Sequence, residues 1–360
     1  MKKWIALLLT LALLLCGCSV EIVLVPDETV PPVTAAAGKD SAPEGLLTVH
    51  YIDVGQADCI LLECDGEFML IDGGNRDDGQ LVVSYLQSCG VEELKTMVCT
   101  HAHEDHVGGL PAVLAVFPVG AVYSPTKTYS SNIFDTFVRY VDQQRLEITI
   151  PSPGDTMTLG QADITVLGPV KSYADPNNTS IVLLVEFGNT RFLFTGDAER
   201  EAENDMLDYW DGRLNWNVDV LKSGHHGSST SSGYRFIYET DPEYAIVSCG
   251  KDNSYGHPHR ETVKLFKDAD IPMLRTDELG TILAVSDGFD ITITWENQQA
   301  APDHVERADN PQETYIGNKN SKTLHTPHCD NLPKEANRVY FDSYDDAIKA
   351  GFSPCRSCIG

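Results

Sequence analysis

Basic residues are scarce in this chain: 26 Lys and Arg stand against 53 Asp and Glu, giving a formal net charge of −27 over 360 residues. Strong non-specific nucleic-acid binding depends on Lys and Arg that neutralise phosphates, so the charge balance argues against it. The 19 Pro and 28 Gly are too few for a collagen-like or low-complexity chain. No run after the N-terminal segment approaches the roughly 18 apolar residues of a membrane span. A hydrophobic content of 42% is instead sufficient for a folded core.

The N-terminus has the pattern of an export signal. Two lysines precede an apolar run over residues 4–15, and the sequence LCGC follows, ending at Cys18. This pattern fits a bacterial lipoprotein box with Cys18 as the lipidated residue, while a secretory signal or a short membrane anchor are the alternatives. We expect a signal peptide over 1–18, a Pro-rich flexible tether over 19–45, and a protein held at the outer face of the cytoplasmic membrane by lipid alone.

The region 46–296 predicts one domain of mixed strands and helices. Short apolar runs separated by Gly and Asp predict strands within 46–55, 58–64, 67–74, 96–103, 163–169, 180–187, 190–197, 218–226, 244–250 and 281–288. Helical spacing of apolar residues predicts helices at 79–90, 108–117, 131–145, 198–210 and 260–269. This mixture is typical of an α/β fold, with functional residues on the loops that follow strands.

Five cysteines lie in this region, and an odd number cannot all pair with one another. We expect them to be small core residues rather than a disulfide framework, although export would permit disulfides. They are Cys59, Cys64, Cys89, Cys99 and Cys249.

The strongest chemical signal is the sequence THAHEDHVGG, which follows an apolar strand and precedes a predicted helix. His101 and His103 are suited to one cation, and Asp105 and His106 to a second cation beside it. Imidazole and carboxylate together form a ligand set for zinc, manganese or iron. The spacing therefore predicts a two-metal centre.

Here the chain resembles the metallo-β-lactamase superfamily, which implies an αββα sandwich. Asp72 in LIDGG matches the strand-end Asp that braces the metal loop, and Asp197 in FTGDAE matches the bridging carboxylate. Together with IDVGQAD, DVLKSGHHGSSTS, NSYGHPH and TDELGTI, these motifs resemble the soluble hydrolase domain of ComEC-type DNA-uptake proteins. Many superfamily members carry a third His for the first metal, whereas Asn177 and Asn178 stand at about that place here.

Two further histidine pairs complete the expected ligand set. His225 is favoured as a ligand, with His226 as an outer or substrate-contacting group, and the reverse assignment stays open. His257 is favoured over His259. Zinc or manganese would occupy both sites, and the looser first site suits a harder ion such as manganese.

The chemistry implied is hydrolysis by a hydroxide held between two cations. Asp197 would bridge the ions and Asp105 would bind the second. Residues beside the metal motifs could contact a substrate phosphate or be ordinary strand and loop residues: Lys222, Ser228, Ser229 and Asn253.

The ComEC-type resemblance implies cleavage of DNA, in single-stranded form. The acidic composition suits a small phosphodiester at least as well, and a non-catalytic DNA-binding surface lipoprotein is the alternative outside enzymes. No protein partner is inferred.

The C-terminal residues predict a separate metal module. A polar linker over 297–312 precedes a module over 313–360, in which His325, Cys329, Cys355 and Cys358 have the spacing of a structural zinc site. The segment resembles the metal-binding domain of the Ada DNA-repair protein, with His325 in place of its methyl-accepting cysteine. Zinc binding is therefore expected and methyl transfer is not. His328 in place of His325, or a disulfide, are the alternatives, and the module either contacts DNA or has a stabilising or docking role.

Overall fold

Two β-sheets packed face to face, with helices on both outer sides, form the body of the protein. The computed structural model describes residues 43–297, 315–326, 329, 331–334, 337–341, 344–355 and 359. Most of the expected leader, tether and linker, together with His328 and Cys358, lies outside the described residues. Among the described residues, no helix has the length and apolarity needed to cross a membrane.

The first sheet has eight strands in the order β15-β14-β1-β2-β3-β4-β5-β6. Its strands are β1 (Leu47–Tyr51), β2 (Ile60–Cys64), β3 (Glu67–Ile71), β4 (Leu94–Val98), β5 (Val119–Tyr123), β6 (Ile148–Thr149), β14 (Ile282–Ser286) and β15 (Ile291–Trp295). The second sheet has seven strands in the order β13-β12-β11-β10-β9-β8-β7. They are β7 (Thr156–Leu159), β8 (Ala162–Gly168), β9 (Val182–Phe187), β10 (Thr190–Phe194), β11 (Val220–Lys222), β12 (Tyr244–Val247) and β13 (Met273–Arg275).

The helices connect these strands and cover the outer faces of the sheets. They are α1 (Gly79–Ser88), α2 (Glu104–Val107), α3 (Leu110–Val116), α4 (Asn132–Gln143), α5 (Arg200–Tyr209), α6 (Tyr234–Thr240), α7 (Arg260–Asp268) and α8 (Thr276–Leu279). Short 3₁₀ turns occupy Arg76–Asp78, Asn177–Thr179 and Gly224–Gly227.

Alternation of apolar side chains along the strands creates three hydrophobic layers. In β9, Leu183 and Val185 point into the core between the sheets, while Val182 and Leu184 point to the outer core under α5 and α6. In β2, Leu61 instead packs in the outer core of the first sheet, with α1, α3 and α4. Successive strand residues face opposite sides, so a strand buried on both faces needs consecutive apolar residues, as in ILL of β2 and VLLV of β9. This layering confirms the expected αββα sandwich.

All ten predicted strand segments and all five predicted helical segments contain an element of the expected type. The sequence analysis missed α6 and several strands, among them β5 and β15. The five body cysteines are free; Cys89 is partly buried and the other four are buried, as expected for core residues.

The C-terminal module adds a small four-stranded sheet in the order β18-β16-β17-β19. Its elements are β16 (Tyr315–Asn318), β17 (Thr323–His325), β18 (Arg338–Phe341), α9 (Tyr344–Lys349) and β19 (Ser353–Pro354). Its buried core is small and is built around Tyr315, Leu324, Ala347, Phe352 and Ile359. The Tyr315 ring meets the rings of Tyr234 and Tyr238 on α6 edge-on, at centroid distances of 6.0 and 5.5 Å.

Candidate metal centre

The predicted ligands come together because parallel strands of both sheets end at one edge. Strands β3, β4 and β5 run parallel in the first sheet, and β10, β11, β12 and β13 run parallel in the second. Carboxyl ends of parallel strands share an edge, and the loops beyond them form the site. The loops after β3, β4, β10, β11 and β12 carry Asp72, the His101–His106 turn, Asp197, the His225–His226 pair and His257, respectively.

Asp72 organises the turn that carries the histidines, as the resemblance implied. Its Oδ1 accepts the backbone N–H of Thr100 at 2.7 Å, and its Oδ2 accepts the Thr100 hydroxyl at 2.7 Å and His106 Nδ1 at 2.8 Å. Burial raises the pKa of Asp72, although His106 beside it acts in the opposite direction. With Nδ1 of His106 held by this carboxylate, Nε2 is the nitrogen left to face the centre.

Asp197 lies at the middle of the imidazoles. Its Oδ1 is 3.3 Å from His106 Nε2, and its Oδ2 is 3.7 to 3.8 Å from Nε2 of His101, His225 and His226. Burial alone would raise the pKa of Asp197, but His106 and His226 outweigh it and hold the pKa well below its usual range. Burial lowers the pKa of His101 well below its usual value, which keeps this imidazole in the neutral form that binds metals. One carboxylate oxygen therefore faces a single imidazole nitrogen and the other faces three, which is compatible with a bridging role for Asp197.

One cluster has the features of a divalent cation site. Ligand atoms of Asp105, His106, Asp197 and His226 all lie within 4.8 Å of one another. Asp105 Oδ2 is 3.3 Å from His226 Nε2. Among the described residues, His106 Nε2, His226 Nε2 and Asp197 Oδ1 are buried and form no hydrogen bond, although each lies 3.3 Å from an ion-pair partner in the cluster. Burial of a polar atom without a hydrogen bond costs free energy. These three atoms lie close together on residue types that bind metals, so the cluster fits a bound cation.

The two adjacent histidines of the second sheet both face the centre, through an unusual backbone. His225 has φ 50° and His226 has φ 53°, so both adopt the left-handed conformation. His225 is partly exposed, with Nδ1 3.2 Å from the Thr230 hydroxyl. His226 is buried, and it rather than His225 belongs to the four-residue cluster. The sequence-based preference for His226 as a substrate-contacting group does not fit a buried ring, and the geometry favours it as a ligand.

His257 and His259 separate clearly. His257 lies 5.5 Å from His225 between ring centroids, and Gln56 Nε2 lies 3.2 Å from its Nδ1. Burial, helped by the neighbouring imidazoles, lowers the pKa of His257 to about 4. His259 uses both ring nitrogens in local hydrogen bonds, with the Ser229 N–H at 2.9 Å and the Tyr255 carbonyl at 3.2 Å. The structure therefore places His257 at the centre and gives His259 a role in holding loops.

His101 and His103 stay beside each other on the first-sheet side of the centre. His101 Nε2 is 3.1 Å from His103 Nδ1, and the His101 and His106 rings lie 4.1 Å apart. Asn177 and Asn178 are both buried, and Asn178 Oδ1 accepts the Glu199 N–H at 2.9 Å. Asn177 Oδ1 is a buried amide oxygen without a hydrogen-bond partner among the described residues, so it remains available as the weaker ligand expected at this place.

Lys222 does not occupy the position that the sequence predicted for a phosphate-contacting residue. Its side chain is fully buried, and its Nζ lies 2.9 Å from Asp58 Oδ2 and donates to the Ser223 carbonyl at 2.9 Å. Asp58 Oδ1 in turn lies 3.2 Å from His226 Nδ1, which also contacts the Ser248 carbonyl at 3.0 Å. Burial alone would raise the pKa of Asp58, but Lys222 and His226 outweigh it and hold the pKa well below the usual value.

Asp58 was missed as a site residue, although its motif was noted. Its backbone N–H donates to the Asp105 carbonyl at 3.1 Å, and its carbonyl accepts the Gly74 N–H at 2.8 Å. Because its side chain also contacts His226, Asp58 connects the loops that follow β3, β4 and β11. The available sequence signal was an Asp directly before the apolar run of β2, where a buried charge needs a partner.

Glu203 was also missed. It is buried on α5 and accepts the backbone N–H groups of Ser232 and Gly233, the latter at 2.8 Å. Burial raises the pKa of Glu203 to about 7, against the effect of these two hydrogen bonds. The contact fixes the segment between the His225–His226 turn and α6.

Asn253 and the two serines hold loops rather than reach outward. Asn253 Nδ2 donates to the Gly250 carbonyl at 2.8 Å, and its Oδ1 accepts the His257 N–H at 3.0 Å. Ser228 is buried with its hydroxyl 3.1 Å from that of Thr230. Ser229 is half-buried and contacts His259 through its backbone. A phosphate contact from Asn253 therefore does not fit its geometry.

A second cluster lies in the C-terminal module. Ligand atoms of His325, Cys329 and Cys355 lie within 4.8 Å of one another, with His325 Nδ1 3.2 Å from Cys329 Sγ. All three residues are buried. The set fits three of the four expected zinc ligands, and Cys358 lies outside the described residues.

Comparison with known proteins finds a matching family for each of these two regions of the chain. The family profile described as "Metallo-beta-lactamase superfamily" matches residues 52–251, and the profile "Metal binding domain of Ada" matches residues 299–359. The chain is 30% identical over 253 residues to "ComE operon protein 3" of Bacillus subtilis, which covers 65% of this chain and 32% of that protein. It is 31% identical over 245 residues to "Competence protein ComA" of Neisseria gonorrhoeae, covering 68% and 33%.

The chain thus spans about a third of the length of these two curated relatives. Among solved structures, the metallo-beta-lactamase fold protein YhfI of Bacillus subtilis aligns with a TM-score of 0.45 at 13% identity, covering 70% of this chain and 100% of that one.

Proposed function

Because the chain belongs to the metallo-beta-lactamase superfamily of metal-dependent hydrolases, we propose that it cleaves phosphodiester bonds of single-stranded DNA at a centre of two divalent cations, zinc or manganese. The observation that carries the proposal is the position of Asp197. Its Oδ1 faces one imidazole nitrogen and its Oδ2 faces three, and these imidazoles come from the loops of both sheets. Bound cations at such a centre supply Lewis-acid charge and lower the pKa of a bound water.

The protein's own contribution is to hold the ligands in one protonation state and one orientation. Asp72 accepts from Nδ1 of His106, and the Ser248 carbonyl with Asp58 accepts from Nδ1 of His226. Each contact assigns the proton to Nδ1 and leaves the Nε2 lone pair for the centre. Asp105, which is partly exposed, is the ligand nearest to solvent in the four-residue cluster and marks the side from which substrate enters.

DNA as substrate is supported by the resemblance to ComEC-type proteins and by relatives whose names refer to competence. The net charge of −27 is an argument for a small phosphodiester instead, because a long basic groove for the backbone is not evident. The remaining candidate is a protein that binds DNA and whose metal centre has lost catalytic activity. Nearly complete ligand geometry in both sheets favours catalysis over it.

The test is a cleavage assay with the purified full chain on labelled single-stranded DNA, with added manganese or zinc. We expect cleavage that is lost in Asp105→Ala, because that variant removes a carboxylate of the metal cluster. A parallel reaction with bis(p-nitrophenyl) phosphate separates the two substrate classes. Turnover of this small diester without DNA cleavage would shift the function to a small phosphodiesterase. DNA binding without turnover of either would favour the non-catalytic alternative.

The C-terminal module is proposed to hold one structural zinc. Its core is too small to fold independently by apolar burial, and metal binding supplies folding free energy in such modules. Cys355→Ser should therefore reduce the zinc content of the purified chain by about one ion and make the module sensitive to protease. The measurement is elemental analysis with limited proteolysis. Cys89→Ser, a free cysteine outside the cluster, is the control, and an unchanged zinc content in Cys355→Ser would contradict the assignment.

Attachment to the membrane surface through a lipid on Cys18 completes the proposal. It is supported by the lipoprotein-box pattern in the sequence. In that setting the substrate is DNA or another phosphodiester outside the cytoplasm.

A further inference from the structure

Tyr255 is an exposed aromatic ring beside the metal centre. It is 67% exposed, the highest value among the large hydrophobic side chains that stand out from the described surface. One face of the ring lies against His257, with centroids 5.6 Å apart and planes at 25°. His257 is in turn nearly parallel to His226, at 6.3 Å and 24°. Three roughly parallel rings therefore lead from the buried ligand cluster to solvent, and Tyr255 is the outermost.

The loop that presents Tyr255 is held rigidly. Asn253 closes it through hydrogen bonds to the Gly250 carbonyl and the His257 N–H, and the Tyr255 carbonyl lies 3.2 Å from His259 Nε2. Gln56 Oε1 accepts the Gly250 N–H at 3.0 Å, which ties the loop to the first sheet. Exposure of Tyr255 is thus not a result of a loose loop. A ring fixed in this way contributes binding area with little loss of conformational entropy.

The surroundings favour contact with a flat ring over contact with phosphates. A cavity of about 740 Å³ adjoins this loop and is lined by Lys251, His257, Arg275, Asp277 and Glu278, among others. Arg275 is already paired with Asp277 at 2.6 Å and with Glu278 at 3.0 Å. Of the described residues that line this cavity, Lys251 is the one cation outside an ion pair. Attraction to a phosphate backbone is therefore weak here, whereas base stacking needs no charge.

We propose that Tyr255 is a stacking platform for the nucleobase next to the scissile phosphodiester, so that the enzyme selects strands with unpaired bases. The proposal rests on the proposed nuclease function and names how that site recognises its substrate. A base on the outer face of Tyr255 would continue the ring series that ends at His226. Bases paired inside a duplex present no free face, so such a platform would favour single strands.

The experiment compares Tyr255→Ala, Tyr255→Trp and the parent chain on three substrates. These are a short thymidine oligonucleotide, the same strand with abasic sites, and bis(p-nitrophenyl) phosphate. Tyr255→Ala should raise KM for the base-bearing strand by about 5- to 150-fold, the range for loss of one stacked base, with a much smaller change in kcat. Tyr255→Trp should retain or tighten binding. Abasic and small substrates should respond little to either variant.

Phe289→Ala is the matched control, since Phe289 is an aromatic residue that is 52% exposed. It lies in the β14–β15 turn, which contacts the β9–β10 turn. The β9–β10 turn lies at the end of β10 opposite to Asp197 and the metal centre. Binding of the same oligonucleotides, measured by fluorescence anisotropy on an Asp105→Ala background, makes the result independent of cleavage. Equal losses on base-bearing and base-free substrates would overturn the platform and leave the nuclease function standing. Base-dependent binding through Tyr255 with no cleavage of any substrate would instead contradict the nuclease function. No base-dependent binding by the parent background would overturn the platform as well.

Discussion

Asp197→Asn should lower kcat/KM for phosphodiester cleavage by about 10³-fold or more. Removal of one preorganised electrostatic group from an active site already costs 10²- to 10³-fold, and Asp197 faces four imidazoles at once. The substitution keeps the shape of the side chain while it removes the charge that two cations would share. The measurement is steady-state cleavage, together with the metal content of the variant.

The matched control is Asp211→Asn, an exposed carboxylate just beyond α5, which should behave like the parent chain. Metal content is the more diagnostic readout. We expect Asp197→Asn to lose bound metal from the body while the module retains its zinc. A variant with full metal content and less than tenfold lower kcat/KM would show that Asp197 is not a bridging ligand.

Lys222→Met should reduce the free energy of unfolding by about 3–5 kcal/mol, which is the usual effect of removing one partner of a buried ion pair. Lys222 Nζ is 2.9 Å from Asp58 Oδ2, and both side chains are almost entirely buried. Methionine fills similar volume but leaves the Asp58 carboxylate with His226 Nδ1 as its remaining side-chain contact among the described ion pairs. Chemical denaturation of the metal-loaded chain measures the change.

The double variant Asp58→Asn, Lys222→Met tests the cause of that loss. It removes both charges, so it should recover part of the stability that Lys222→Met loses. The control is Lys171→Met, whose ion pairs with Asp205 and Glu201 lie at the surface and should contribute little to stability. If Lys222→Met were as mild as Lys171→Met, Lys222 would not be a buried structural partner of Asp58.

The sequence predicts the framework well because local patterns determine it. The apolar runs of β2 and β9 are long enough to be buried on both faces, and the histidine turn after β4 has a spacing that few other structures require. Strand β5 and helix α6 were missed because the apolar patterns of their segments, VGAVY and YRFIYET, are weaker. Their place is determined by packing against elements already formed.

The errors at the site come from contacts between residues far apart in sequence. Lys222 adjoins the metal motif along the chain, which suggested a substrate contact, yet it partners Asp58 from the other sheet. The alternation of residues along a strand indicates that Lys222 is buried, because it shares a strand face with Val220, which lies in the core between the sheets. His225 was favoured over His226 as the ligand, but their left-handed backbone turns both rings toward Asp197.

The proposed metal ligands come from both layers of the sandwich, so bound cations would also affect the stability of the fold. His101, His103, Asp105 and His106 follow a strand of one sheet, whereas Asp197, His226 and His257 follow strands of the other. Ions bound between these loops would cross-link the two sheets reversibly at the edge where their parallel strands end. By mass action, metal at 100 times its dissociation constant adds about 2.7 kcal/mol to folding. Loss of metal would then lower the free energy of unfolding of the whole sandwich and also stop the proposed hydrolysis.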